Sequence, residues 1–110
     1  MDRDVLELAW LTLTRETLPR AARLRGRDWP VHLDHCFQRI LLDHATRGVW
    51  YDTITKRPAY RHASDAVLRE GVVLARAILA GDADLLSLNR QSLIWRGKAS
   101  GPAGKGRASG

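Results

Sequence analysis

The chain has 110 residues, a formal net charge of +6, 45% hydrophobic and 27% charged residues. That is one globular domain's worth of chain, with too much apolar content for general disorder. A single cysteine, Cys36, excludes an intramolecular disulfide and a multi-cysteine zinc site. No apolar run approaches the roughly 18 residues of a membrane span, and Met1-Asp2-Arg3-Asp4 lacks a basic signal region. The expectation is a cytoplasmic protein with no membrane association.

The first segment, from about Asp4 to Arg25, carries Val5, Leu8, Ala9, Trp10, Leu11 and Leu13, then Leu18, Ala21, Ala22 and Leu24. These recur at helical spacing among good helix formers. Pro19 would remove a helical hydrogen bond and strike the preceding turn. The segment therefore predicts a kinked helix, or two helices joined near Thr17, with Thr17 as cap and Pro19 in the first turn. Gly26 is a natural stop. Arg15, Arg20, Arg23, Arg25 and Arg27 fall within positions 15–27 against Glu16 and no other acid. Such a cluster is either a solvated helix end that complements the dipole or a surface for phosphates and carboxylates.

The second segment opens at Trp29-Pro30, with Asp28 placed to cap it, and runs to about Thr46. Leu33, Phe37, Ile40, Leu41 and Ala45 form its apolar stripe, and Gly48 stands at the expected C-cap. His32, Asp34, His35, Cys36, Asp43 and His44 are concentrated here. On a helix, His32 and His35 share a face with Arg39 and Asp43, while His44 lies about half a turn away. One helix then offers two or three metal ligands rather than four, and H-E-x-x-H is missing, so no metal is expected. A polar face with His35 and Asp43 in structural hydrogen bonds accounts for the pattern. Cys36 borders the stripe and reads as a small buried hydrophobe.

The stretch VWYDTITKRPAY follows. Its β-branched and aromatic residues and Pro58 predict a loop of extended character, with a short strand or hairpin. Trp50, Tyr51 and Tyr60 either pin this loop to the core or, with Asp52, Lys56, Arg57 and Arg61, form a binding surface. The third main helix is capped by Ser64 or Asp65 and ended by Gly81, with Val67, Leu68, Val72, Ala75, Ile78 and Leu79 on one face. The fourth begins at Asp82 or Asp84 and reaches Arg96, its Asn89, Arg90 and Gln91 turned to water. The short link between them predicts an antiparallel or angled helix pair. From Gly97 onward, GKASGPAGKGRASG holds Lys98, Lys105 and Arg107 with no acid, half of the net charge. Rich in glycine and without a large apolar residue, this tail is expected to be disordered.

Four strings, DHCFQRILLD (34–43), GVWYD (48–52), RPAY (57–60) and LNRQSLIWRG (88–97), resemble a family of small proteins of which some members are labelled GNAT-type N-acetyltransferases. The resemblance covers most of residues 30–97. It implies a shared fold and a shared site around the 34–43 helix and the following loop. The Q/R-x-x-G-x-G/A turn by which a GNAT domain holds acetyl-CoA does not occur in this sequence, so the resemblance transfers no catalytic residue.

The combined expectation is an all-α bundle of four to five helices over residues 1–96, with an aromatic-rich loop between the second and third main helices. No nucleotide-binding or nucleophile-elbow motif is present, so no catalytic residue and no cofactor are expected. The first functional expectation is a non-enzymatic binding module that contacts a protein partner or a second copy. Its candidate residues are His35, Arg39, Asp43, Trp50, Tyr51, Asp52, Tyr60 and Arg61, with any exposed Trp10, Trp29 or Trp95 as anchors. The second is a nucleic-acid-associated protein that neutralises phosphates through Arg15, Arg20, Arg23, Arg25, Arg27, Lys98, Lys105 and Arg107. The third is a small enzyme or metal protein built on His32, His35, Asp43 and His44.

Overall fold

A computed structural model describes residues 2–98, apart from the side chain of Arg27. It contains α1 (Arg3–Thr12), α2 (Leu18–Arg25), α3 (Asp34–Thr46), α4 (Ala59–His62), α5 (Asp65–Ala80) and α6 (Leu85–Trp95). No strand occurs among the described residues, and the fold is all-α. No described helix is long and apolar enough to cross a membrane. The tail expected to be disordered lies, beyond Lys98, outside the described residues.

The first segment is one continuous rod. A π-turn over Leu13–Thr17 joins α1 to α2, and Thr17 is helical, at φ −67°, rather than a cap. The widened turn just before Pro19 relieves the clash that its ring would make in a regular helix. The turn is locked from inside: the buried Thr14 hydroxyl donates to the Trp10 carbonyl at 2.9 Å and accepts from Gln38 Nε2 at 3.1 Å. Gly26, at φ 58°, ends α2 as expected.

The second main helix starts later than the sequence predicts. Pro30 disfavours a helical residue before it, and Trp29 is extended at φ −110°, ψ 131°. Asp28 instead closes a short 3-10 turn over Gly26–Asp28, and α3 begins at Asp34 with Leu33 as N-cap. Leu33 leaves the core and is exposed, while Leu42 joins Phe37, Ile40 and Leu41 inside it. The left-handed residue that ends α3 is Arg47, at φ 59°, rather than Gly48.

α3 is the central helix. It packs on α5, α6, the π-turn and the 50–52 turn, while α1 lies along α5. Trp10 is 1% exposed and cannot anchor a partner; its ring sits over Gly71, where an added Cβ would lie 2.6 Å from Trp10 Cζ3. α5 follows its sequence pattern: Ser64 Oγ accepts from the Val67 amide at 3.2 Å, Leu68, Val72, Ala75 and Ile78 are buried, and Gly81 closes it at φ 81°. Asp84, not Asp82, caps α6 by accepting from the Leu86 amide at 3.2 Å. After Gly81 the chain turns so that α6 packs chiefly on α3 rather than as a close pair with α5.

Candidate functional site

The 49–62 segment is built of turns rather than strand. Trp50–Asp52 is a 3-10 turn, Ala59–His62 is α4, and the Arg57–Pro58 peptide is cis. Its core anchor is Ile54, 4% exposed, whereas Trp50 and Tyr60 are half-buried and Tyr51 is exposed. Trp50 and Tyr60 pack against the core cluster, as a pinning role predicts, and Tyr51 does not. β-branched Ile54 was legible as apolar but not as the one residue of the loop that goes inside.

What holds the segment against α3 is Asp43. Its carboxylate is fully buried. Oδ1 accepts from the Trp50 amide at 3.0 Å and from Arg96 Nη2 at 3.0 Å. Oδ2 accepts from the Ser92 hydroxyl and from Arg96 Nε, both at 2.7 Å. Four donors on one carboxylate satisfy its lone pairs and offset the cost of burying its charge. The Asp43 hydrogen bonds hold the Arg96 guanidinium above its ordinary value, against the opposing effect of burial. Arg96 also lies 5.3 Å from the Tyr51 ring centroid.

Arg39, one helical turn before Asp43, extends the network. Nη1 donates to Ser92 Oγ and Nη2 to Asn89 Oδ1, both at 2.7 Å. Asn89 therefore faces inward, against the expectation that it meets water. His44 Nε2–H donates to the Leu88 carbonyl at 2.9 Å, and its ring meets Trp95 edge-on at 4.9 Å. Trp95 is half-buried by this contact. Trp29 is held between Phe37, edge-on at 5.9 Å, and the Arg25 guanidinium at 5.3 Å.

On the outer side of this network lies a groove of about 370 Å³ lined by His35, Gln38, Arg39, Leu42, Trp50, Arg57, Pro58 and Ala59. α3 forms one wall and the loop forms the other. Arg57 stacks on Trp50 at 5.3 Å from the ring centroid. Of the sequence candidates, the groove brings together His35, Arg39 and Trp50. Asp43 stands behind it as a positioning residue and is sealed from solvent. Tyr51 and Asp52 are exposed on the adjoining turn. Tyr60 and Arg61 belong to a different junction, where Arg3 donates to the Tyr60 carbonyl at 2.9 Å and Arg61 lies 6.0 Å from the Tyr60 ring. Gln38 and Leu42 were absent from the sequence candidates, whereas Arg57 was read there with the loop aromatics as part of a binding surface. The Trp50–Arg57 pairing of aromatic and cation across one loop was the available signal for Arg57.

Arg15, Arg20, Arg23 and Arg25 are exposed along the π-turn and α2, and none of them lines the groove. The Arg27 side chain, Lys105 and Arg107 lie outside the described residues, and Lys98 is exposed. His32 and His35 are exposed while Asp43 and His44 are committed to α6. Among the described residues no three His, Cys, Asp or Glu side chains are grouped to hold a metal ion. A second cavity, of about 420 Å³, lies between Trp29 and the α5–α6 turn and is lined by Asp28, Asp82 and Asp84 with Arg25.

Comparison with protein-family models, with curated proteins and with solved structures finds no match to this chain.

Proposed function

We propose that this chain is a non-enzymatic binding module that contacts another protein, and that the groove between α3 and the 50–59 segment is its recognition site. The observation that carries this reading is the pre-organisation of both walls by one buried carboxylate. Asp43 holds the Trp50 turn through its backbone amide and holds α6 through Ser92 and Arg96. A concave site whose side chains are already fixed loses little entropy on binding. The family resemblance is drawn into the same proposal. Its strings 34–43, 48–52 and 57–60 border the groove, and its string 88–97 supplies Asn89, Ser92 and Arg96.

The test is to pan a random peptide library on the folded chain and retest the selected peptides on an Ala59→Trp variant, which places an indole in the groove. Selected peptides that lose binding to this variant support the reading. Peptides that bind it undiminished, or a failure to select any, overturn it.

A second reading is nucleic-acid association, favoured by the exposed Arg15, Arg20 and Arg23, none of which makes an ion pair among the described residues. Its mechanism is release of counterions from the phosphate backbone. Duplex and single-stranded oligonucleotides should then bind at low salt with an affinity that falls steeply as salt rises. The triple Arg→Gln variant at these positions should flatten that dependence. An unchanged salt slope discards the reading.

A further inference from the structure

We infer that the groove takes a carboxylate, and that its occupant is an acidic peptide segment of a partner protein. The inference rests on the binding-module reading and adds the chemistry of the ligand.

The charge count around the groove leads to it. Asp43 holds Arg96 directly and reaches Arg39 through Ser92, which makes one carboxylate for two guanidiniums. Arg96 takes the carboxylate directly, as a forked pair at 2.7 and 3.0 Å. Arg39 is left with neutral acceptors only, the Ser92 hydroxyl and the Asn89 amide oxygen, and makes no ion pair among the described residues. Those two bonds engage two of its five N–H groups. A half-buried guanidinium held in place by neutral oxygens is a cation whose orientation is fixed and whose charge is not neutralised.

The rest of the lining agrees. Arg57 is positioned by the Trp50 ring, again a neutral partner, and makes no ion pair among the described residues. His35 adds a third nitrogen base, with Asp34 beside it at 3.8 Å on the exposed side of α3. Among the described residues no carboxylate lines the groove. Two fixed guanidiniums favour a planar, forked anion, and a carboxylate matches that fork. Leu42, Trp50, Pro58 and Ala59 supply apolar surface beside the cations. A peptide that alternates Asp or Glu with an apolar side chain would satisfy both. Arg clusters are a recurring means of recognising acidic peptide motifs.

The experiment uses the same library, selected in parallel on the wild-type chain and on Arg39→Gln and Arg57→Gln, each checked for an unchanged helical spectrum. Arg57 is exposed, so its variant stays informative if the Arg39 variant does not fold. The expected result is enrichment of Asp and Glu in the wild-type selection. Selected peptides should weaken by roughly tenfold on either variant, as loss of a charge-assisted hydrogen bond predicts, and by a similar factor when Glu is replaced by Gln. Peptides that depend on the groove but show no acidic enrichment overturn the inference and leave the binding-module reading standing. Peptides indifferent to the Ala59→Trp variant overturn both. Binding of a single-stranded oligonucleotide that depends on Arg39, Arg57 and Trp50, with no acidic peptide selected, overturns the inference in favour of a phosphate ligand stacked on Trp50.

Discussion

Asp43 and Arg96 stand 53 positions apart and meet as a forked ion pair, at 2.7 and 3.0 Å, in which the carboxylate is fully buried and the guanidinium side chain is 15% exposed. The pair ties the last turn of α3 to the end of α6. It is also the reason that the Trp50 turn, which the same carboxylate holds, lies where it does.

Asp43→Asn tests this directly. An amide offers one oxygen and two N–H groups where four donors now converge, so donor faces donor. Removing one partner of a buried pair leaves the other charge uncompensated, and a loss of about 3 kcal/mol is expected. Urea unfolding followed by helical signal measures it. A loss under about 1 kcal/mol would show the pair to be solvated in solution, as exposed ion pairs are.

Gly71→Ala should destabilise the fold even though alanine is the better helix former. The propensity gain is about 1 kcal/mol, but the new methyl would lie 2.6 Å from Trp10 Cζ3. Trp10 is 1% exposed, so its ring is enclosed by its neighbours and would have to displace them. Overpacking of this kind costs about 1–3 kcal/mol, so a lower thermal midpoint is expected, together with a changed Trp10 fluorescence environment. A higher midpoint would show that α1 shifts freely along α5.

Asp65 gives the fold a dependence on acid. Its hydrogen bond from Arg3 Nη1, at 2.7 Å, lowers its carboxyl below the ordinary value of 3.8. A lowered folded-state value means that the contribution is fully present above pH 3.8 and is lost as pH falls through the folded value. Asp65→Asn should therefore lower the thermal midpoint slightly at pH 7, and the difference from wild type should shrink as acid protonates the carboxylate. Because Asp65 is exposed, the effect should also shrink in high salt. A difference that persists in strong acid would assign it to packing instead.

The two acids before α6 should behave differently. Asp84 accepts from the Leu86 amide and from the Ser87 hydroxyl, at 3.2 and 2.7 Å. Asp84→Ala should cost about 1 kcal/mol as a lost helix cap. Asp82→Ala, at an exposed turn, should stay within about 0.5 kcal/mol of wild type. Chemical denaturation of both variants compares them.

The helical class and α5 were legible because local rules and packing agree there. Ser64, the Leu68–Val72–Ala75–Ile78 stripe and Gly81 each point to the same helix. The start of α3 was not legible, since Asp28 and Pro30 both suit a helix start and only the extended Trp29 decides against it. Gly48 drew the C-cap away from Arg47 because glycine is the usual left-handed residue. The site was legible in part. His35, Arg39, Asp43 and Trp50 stood out by type, yet nothing local tells which of the many arginines meets Asp43. An acid one turn beyond Ile40 and beside Leu42 signals that a buried partner is required. Its identity is a property of how α6 crosses α3.

Arg96 is followed by only Gly97 and Lys98 among the described residues. A load applied to the chain beyond that point meets the backbone bonds of Lys98 and Gly97 to Leu93 and Ile94, then the Arg96 side chain that grips Asp43, and Asp43 passes it to the Trp50 turn. A protein tethered by its C-terminal end would therefore present a groove under traction. One tethered ahead of Arg3 would pull through that side chain on the start of α5 and on the Tyr60 carbonyl of α4, whose Ala59 lines the opposite wall. Which end is fastened becomes a handle on the groove itself.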